Sequence, residues 1–117
     1  MSEIFDAEIK LMDIVWENEP VSAKEVSVIA TENIGWNKNT TYTVIKRLIE
    51  KGFISRGEPG FICTSLIKRE DTQRAHTSAL IEKLFKGSKK SFFAAFADEK
   101  LEKDEIEELK KLIERQG

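Results

Sequence analysis

The chain has one cysteine and one histidine among its 117 residues. A single cysteine, Cys63, permits neither an internal disulfide nor a cysteine-based metal cluster. It lies in the alternating run Phe61–Ser65, where a small strand residue is the simplest interpretation. The histidine, His76, has no cysteine or carboxylate cluster beside it in the sequence. Because a catalytic site usually needs several convergent titratable groups, the sequence predicts no enzyme, no metal site and no cofactor.

Long hydrophobic runs are also missing. No apolar run approaches the roughly 18 residues needed to cross a membrane. The N-terminus lacks the basic-then-apolar pattern of a signal peptide. Hydrophobic residues make up 40% of the chain and charged residues 34%, which is typical of a globular, helix-rich protein. We therefore expect a cytoplasmic protein with no membrane insertion.

An overall excess of basic charge is absent too, since the net charge is −2. The charge is unevenly distributed, however. Residues 1–35 are strongly acidic, whereas residues 36–56 carry five cations against Glu50 alone, a local net charge of +4. A basic patch on an acidic protein can bind phosphate locally without making the whole chain bind nonspecifically.

Three short helices are predicted in the first half of the chain. The first should begin near Asp6, as its N-cap, and end before Pro20, because the residue preceding a proline avoids helical angles. The second should begin at Ser22, whose hydroxyl can cap the first turn. The third should begin after the cap residue Asn37 and stop at Gly52.

Two short β-type runs follow the third helix. Phe53–Arg56 and Phe61–Ser65 are joined by Gly57–Gly60, which predicts a hairpin. Three helices and a hairpin are the parts of a winged helix. The predicted fold is therefore mainly α with a small β-hairpin wing, comprising a winged helix-turn-helix DNA-binding domain, residues 1–67, and a C-terminal helical dimerisation domain, residues 68–117.

The third helix has an unusual polar face, rich in hydroxyls and amides with cations further along. Threonine methyls can contact thymine methyls, and asparagine can hydrogen-bond adenine in the major groove. Lysine and arginine about two turns later can reach phosphates or guanine edges. A solvated face of ordinary polar residues is the alternative. The predicted DNA contacts on this helix are Lys38, Asn39, Thr40, Thr41, Thr43, Lys46 and Arg47.

The C-terminal helices are short and rich in Phe, Leu and Ile, so they have too little depth to bury these residues alone. A second copy of the chain would supply the missing surface, which predicts a homodimer. The predicted dimerisation residues are Leu80, Leu84, Phe85, Phe92, Phe93, Phe96, Leu101, Ile106, Leu109 and Ile113.

Five stretches, AEIKLMDIVWE, SAKEV, WNKNTTYTVIKRLIEKG, GSKKSFFAAF and EIEELKKLI, resemble the family of penicillinase repressors. That family includes the BlaI and MecI regulators and the copper-responsive CopY. The likeness runs over nearly all 117 residues. It is most specific in Trp36–Gly52, where the family's Trp, its two Thr three residues apart, its Arg-Leu and its Lys-Gly are all present.

The resemblance implies a homodimeric winged-helix repressor that binds a palindromic double-stranded DNA operator, including operators of β-lactamase and other antibiotic-resistance genes. It further implies release when a membrane metalloprotease sensor triggers cleavage. The family's Asn-Phe cleavage bond corresponds here to Ala95-Phe96. The usual wing arginine is absent, and Arg56 is the candidate to replace it. Paired C-terminal cysteines of the copper-responsive branch are also absent, so copper sensing is not expected.

The main alternative is a winged helix that binds only protein. Such a module would not need the +4 patch centred on its third helix.

Overall fold

The structure, a computed structural model, describes residues 3–97 and 102–116. The chain divides into two compact units, Met1–Gln73 and Arg74–Gly117. The elements are α1 (Asp6–Asn18), β1 (Val21–Ser22), α2 (Ala23–Ile34), α3 (Lys38–Glu50), β2 (Ile54–Gly57), β3 (Ile62–Ser65), α4 (Arg69–Phe85), α5 (Lys89–Ala97) and α6 (Lys103–Gln116). The mainly helical fold with a small β-hairpin wing is confirmed.

The first unit is built around one apolar core, to which the stripes of α1, α2 and α3 all contribute. Leu11, Val26, Ile45 and Leu48 are fully buried there. The hairpin closes the same core through Ile54, which is 1% exposed. Each of the three helices thus buries one side, and the opposite side of α3 stays available to solvent.

Side-chain caps set the beginnings of α2 and α3, as the sequence predicted. The Ser22 hydroxyl accepts from the amide of Glu25 at 3.1 Å, and the Asn37 side chain accepts from the amide of Thr40 at 2.8 Å. Helix α1 begins at Asp6 and ends at Asn18, before Pro20, as predicted, but its N-cap is Phe5 rather than Asp6. A buried carboxylate, described below, accepts from the Phe5 amide and takes over the capping role.

The sheet has three antiparallel strands in the order β1-β3-β2, one more than the predicted hairpin. Arg56 and Cys63 are register partners in the hairpin, and Val21 of β1 pairs with Cys63 on its other side. Cys63 is fully buried, which agrees with its interpretation as a small strand residue. Burial raises the pKa of the Cys63 thiol.

The first turn of α4 belongs to the first unit. The Trp16 indole donates to the carbonyl of Ile67 at 3.0 Å. The Arg69 guanidinium lies 2.9 Å from Glu17 and 3.6 Å from Asp13. These contacts explain why the compact unit runs to Gln73, six residues beyond the predicted end of the DNA-binding domain, residue 67.

The second unit contains an aromatic cluster on α4 and α5. The Phe92 ring packs edge-on against Phe85 and Phe93, each at 5.6 Å between centroids, and stacks with Phe96 at 6.1 Å. Phe93 and Phe96 nevertheless remain 48% and 44% exposed. Leu80, Leu84 and Ile106 are exposed as well. Leu101 lies outside the described residues, as do the side chains of Leu109 and Ile113.

Across residues 3–97 and 102–116, no helix combines the length and the apolar character that a membrane crossing requires.

Candidate nucleic-acid interface

Helix α3 separates its side chains into a buried and an exposed face. Val44, Ile45 and Leu48 are buried in the core, with at most 5% exposure. Six of the predicted DNA contacts lie on the exposed side: Lys38, Asn39, Thr40, Thr43, Lys46 and Arg47. The 3.6-residue period of the helix therefore presents Lys38, an amide and hydroxyls in its first half and two further cations in its second half on the accessible side.

One predicted contact, Thr41, is wrong. Its side chain is fully buried, and its hydroxyl donates to the carbonyl of Asn37 at 3.0 Å. Thr41 lies three and four residues before Val44 and Ile45, so the helical period turns it inward with them. A hydroxyl can be buried here because the carbonyl one turn earlier accepts its hydrogen bond in addition to that of the Thr41 amide.

The cationic patch is also smaller than the sequence count suggests. The ammonium of Lys51 lies 2.8 Å from the Oε1 of Glu8 and donates to the carbonyl of Glu3 at 2.9 Å. It also lies 4.3 Å from the centroid of the Phe5 ring. Lys51 is thus used inside the protein, which leaves Lys38, Lys46 and Arg47 as the exposed cations of α3.

Glu8 is a buried charged residue of this region that the sequence did not single out. Its side chain is fully buried, with Oε1 accepting from Lys51 and from the Phe5 amide at 2.9 Å. Within the described residues, Oε2 has no hydrogen-bond partner. Burial raises the pKa of Glu8, but the hydrogen bonds from Lys51 and Phe5 and the positive charges of Lys51 and Arg47 outweigh it and lower the pKa overall.

The hairpin carries Arg56 in a structured setting. Its Nε donates to the Oε1 of Glu58, and its guanidinium carbon lies 3.7 Å from the centroid of the Phe61 ring. Phe61 packs edge-on against Tyr42 of α3, with centroids 5.9 Å apart, and the Lys38 ammonium lies 5.8 Å from the Tyr42 ring. Arg56 is therefore connected to the first half of α3 through two aromatic rings.

Clusters of metal-ligating side chains are absent from the described residues. Among the residues that the structure describes, no group of three or more His, Cys, Asp and Glu side chains could hold a metal ion. The exposed side chains of α3 can provide hydrogen bonds and positive charge.

Comparison with known proteins finds repressors and a resistance regulator with similar sequences. The methicillin resistance regulatory protein MecI of Staphylococcus aureus strain N315 is 33% identical over 116 residues, which cover 97% of this chain and 94% of that protein. The penicillinase repressors of Staphylococcus aureus and Bacillus licheniformis are 34% and 26% identical, over 95% and 96% of this chain and 90% of each relative.

A solved structure matches as well. The solution structure of the DNA-binding domain of the repressor BlaI aligns with a TM-score of 0.55 at 30% identity, covering 59% of this chain and 87% of that domain. The profile of the penicillinase repressor family matches residues 4–115. With nearly the whole chain matched, this protein belongs to the penicillinase repressor family, a family of transcriptional repressors and not of enzymes.

Proposed function

We propose that this repressor binds a palindromic DNA operator as a homodimer, with α3 in the major groove of each half-site. The observation that carries the proposal is the exposed polar face of α3, opposite a face that is buried in the core. Because its buried face is packed against the core, the helix can present its exposed side chains to base edges in one fixed register.

The order of residues along α3 supports this orientation. Asn39, Thr40 and Thr43 stand in its first half, where a recognition helix comes nearest the bases. The Thr43 hydroxyl donates to the carbonyl of Asn39 at 2.8 Å, which leaves the threonine methyl to face a thymine methyl. Lys46 and Arg47 follow, within reach of phosphates or guanine edges.

The exposed apolar residues of the second unit support dimerisation by residues 68–117. Phe93, Phe96, Leu80 and Leu84 are each more than 40% exposed. A second copy can cover them, and a twofold dimer matches the symmetry of a palindrome. Loss of the dimer would weaken operator binding. In a dimer, binding of one subunit to its half-site raises the effective concentration of the second subunit at the other half-site, and a monomer lacks this effect.

The relatives' names, a methicillin resistance regulator and penicillinase repressors, suggest antibiotic-resistance genes as targets. For release, we propose cleavage of the Ala95-Phe96 bond, triggered by a membrane metalloprotease sensor. Both residues are exposed, but the bond lies inside α5, and Phe96 stacks on Phe92. Because proteases bind extended backbone, α5 must open locally before cutting.

The test of operator binding uses fluorescence anisotropy with duplexes from the region upstream of the protein's own gene. Arg47→Ala should weaken specific binding by about fivefold or more, since a base-reading arginine contributes about 1–3 kcal/mol. Lys10→Ala removes one exposed cation from α1 and should leave affinity nearly unchanged. Equal affinity for operator and random DNA in every variant would favour the protein-binding alternative.

The test of release uses mass spectrometry to measure the amount of intact chain in the producing cells while they are exposed to a cell-wall antibiotic. If cleavage is the release step, a fragment that ends at Ala95 should appear before transcription of the target genes increases. Ala95→Pro should resist cutting, although it also perturbs α5, so dimerisation of that variant is checked by light scattering. Induction with an uncut chain would mean that a ligand or another signal releases the repressor.

A further inference from the structure

We propose that Glu58 acts as an internal competitor of DNA: it holds Arg56 in the free repressor, and a phosphate must displace it before the hairpin contributes to binding. This inference rests on the proposed operator binding. It concerns the ion pair between Arg56 and Glu58 at the hairpin turn. In this pair the Glu58 carboxylate neutralises an arginine that could otherwise bind a DNA phosphate.

The geometry leaves Arg56 only partly occupied. Its Nε donates to Glu58, and one face of its guanidinium lies on the Phe61 ring. The hydrogen bond to Glu58 uses the Nε donor and not the terminal Nη groups. The planar guanidinium presents its donors in a fork that suits phosphate oxygens, so a phosphate that approaches the Nη edge competes with Glu58 for the Nε donor and must displace it to bind the fork in full.

Glu58 is placed by the turn that it occupies. Its Oε2 accepts from the amide of Phe61 at 3.3 Å, while Oε1 accepts from Arg56. Phe61 has a positive φ of 52°, a conformation that a bulky residue rarely adopts without support. The carboxylate therefore stabilises the turn and holds the arginine at the same time.

The pair is positioned beside the predicted base-reading end of α3. Phe61, on which Arg56 lies, packs edge-on against Tyr42, and Tyr42 is one turn from Lys38. Arg56 is thus oriented by a ring that contacts α3, and the same α3 ring, Tyr42, lies beside the Lys38 ammonium.

The pair is weak enough to be displaced. The side chains of Arg56 and Glu58 are 45% and 57% exposed, and exposed ion pairs contribute little because water competes for both groups. The hydrogen bond from Arg56 lowers the pKa of Glu58, so the carboxylate is ionised at neutral pH. An ionised carboxylate also repels the phosphates directly, so it opposes binding in two ways.

The experiment compares full-length Glu58→Gln with the wild type on the same operator duplex. Glutamine keeps an oxygen that can accept from the Phe61 amide, so the turn is retained while the charge is lost. Affinity should rise about twofold to fivefold, as expected when an exposed competing charge is removed. Glu70→Gln, an equal charge change on the exposed start of α4, is the matched control and should bind like the wild type.

The double variant separates restraint of Arg56 from simple repulsion. Arg56→Ala should weaken binding and make the slope of log affinity against log salt shallower by about 0.9 for each phosphate that the arginine no longer neutralises. In the Arg56→Ala background, Glu58→Gln should lose most of its gain. Either no gain from Glu58→Gln or an equal gain in both backgrounds would overturn the proposal.

Operator binding by the wild type, and its loss in Arg47→Ala, are measured first. If both hold while the wing variants do not behave as expected, only this inference fails. If the wild type shows no preference for the operator, the proposed function itself fails. Circular dichroism of each variant confirms that the fold is kept.

Discussion

The Nζ of Lys51 lies 2.8 Å from the Oε1 of Glu8 and so joins the end of α3 to the first turn of α1. The Glu8 side chain is fully buried and that of Lys51 is 19% exposed. The same ammonium donates to the Glu3 carbonyl, so the N-terminal segment and α1 both contact the end of α3 at one point. This enclosed pair has clear consequences for stability.

Removing only one partner of this pair should be costly. Lys51→Met leaves the buried Glu8 carboxylate without its counter-charge, and we expect a loss of about 3 kcal/mol in the free energy of unfolding. The double variant Glu8→Leu, Lys51→Met should recover most of that loss, because an apolar pair of similar volume needs no desolvation of charge. Urea unfolding measures both. A single variant as stable as the wild type would contradict the role of the pair.

Acid should weaken the protein through Glu8. Its pKa is lowered from a reference of 4.5, so its contribution to stability is fully present above that value. The contribution is lost as pH falls through the lower, folded-state pKa, because the unfolded chain takes up the proton more readily. Glu8→Gln should therefore show a shallower loss of stability below pH 4.5 than the wild type. Glu32→Gln, at an exposed site on α2, makes the same chemical change away from the Glu8–Lys51 pair, and its stability should fall with acid as steeply as that of the wild type.

Two neighbouring threonines should respond in opposite ways. Thr40→Val, on the exposed face, should lower operator affinity about threefold to tenfold if its hydroxyl bonds DNA, with stability nearly unchanged. Thr41→Val, in the core, should cost about 1 kcal/mol of stability and leave the affinity of the folded protein unchanged. The Asn37 carbonyl stays satisfied there, since it also accepts from the Thr41 amide at 3.1 Å. Anisotropy and urea unfolding together distinguish the two effects.

Fragments should reveal where the first unit ends. A fragment of residues 1–73 keeps the Arg69 contacts to Glu17 and Asp13, whereas a fragment of residues 1–67 lacks them. Because these pairs are partly exposed, we expect the longer fragment to be more stable by only about 0.5–1 kcal/mol. Both should be monomers by light scattering, and a dimeric fragment would place the dimer contact in the first unit instead.

Local signals were enough to predict much of this fold. Ser22 and Asn37 begin their helices through hydrogen bonds that span three residues, so a short window of sequence contains both partners. The apolar period of α3 likewise places Val44, Ile45 and Leu48 together on one side. The hairpin follows from a turn-rich segment between two β-type runs. These features depend on neighbours in the chain, which a sequence displays directly.

Other features needed partners far apart in the chain. Lys51 counts as a cation in the sequence, but the carboxylate that neutralises it lies 43 residues earlier. The strand β1 is only two residues long and exists because Cys63 and Ile62 pair with it. The sequence by itself therefore determined which segments are helical and which face of α3 is polar. Only the tertiary structure decided which charges of that polar region stay exposed, because neutralisation by an ion pair requires two side chains that only folding brings together.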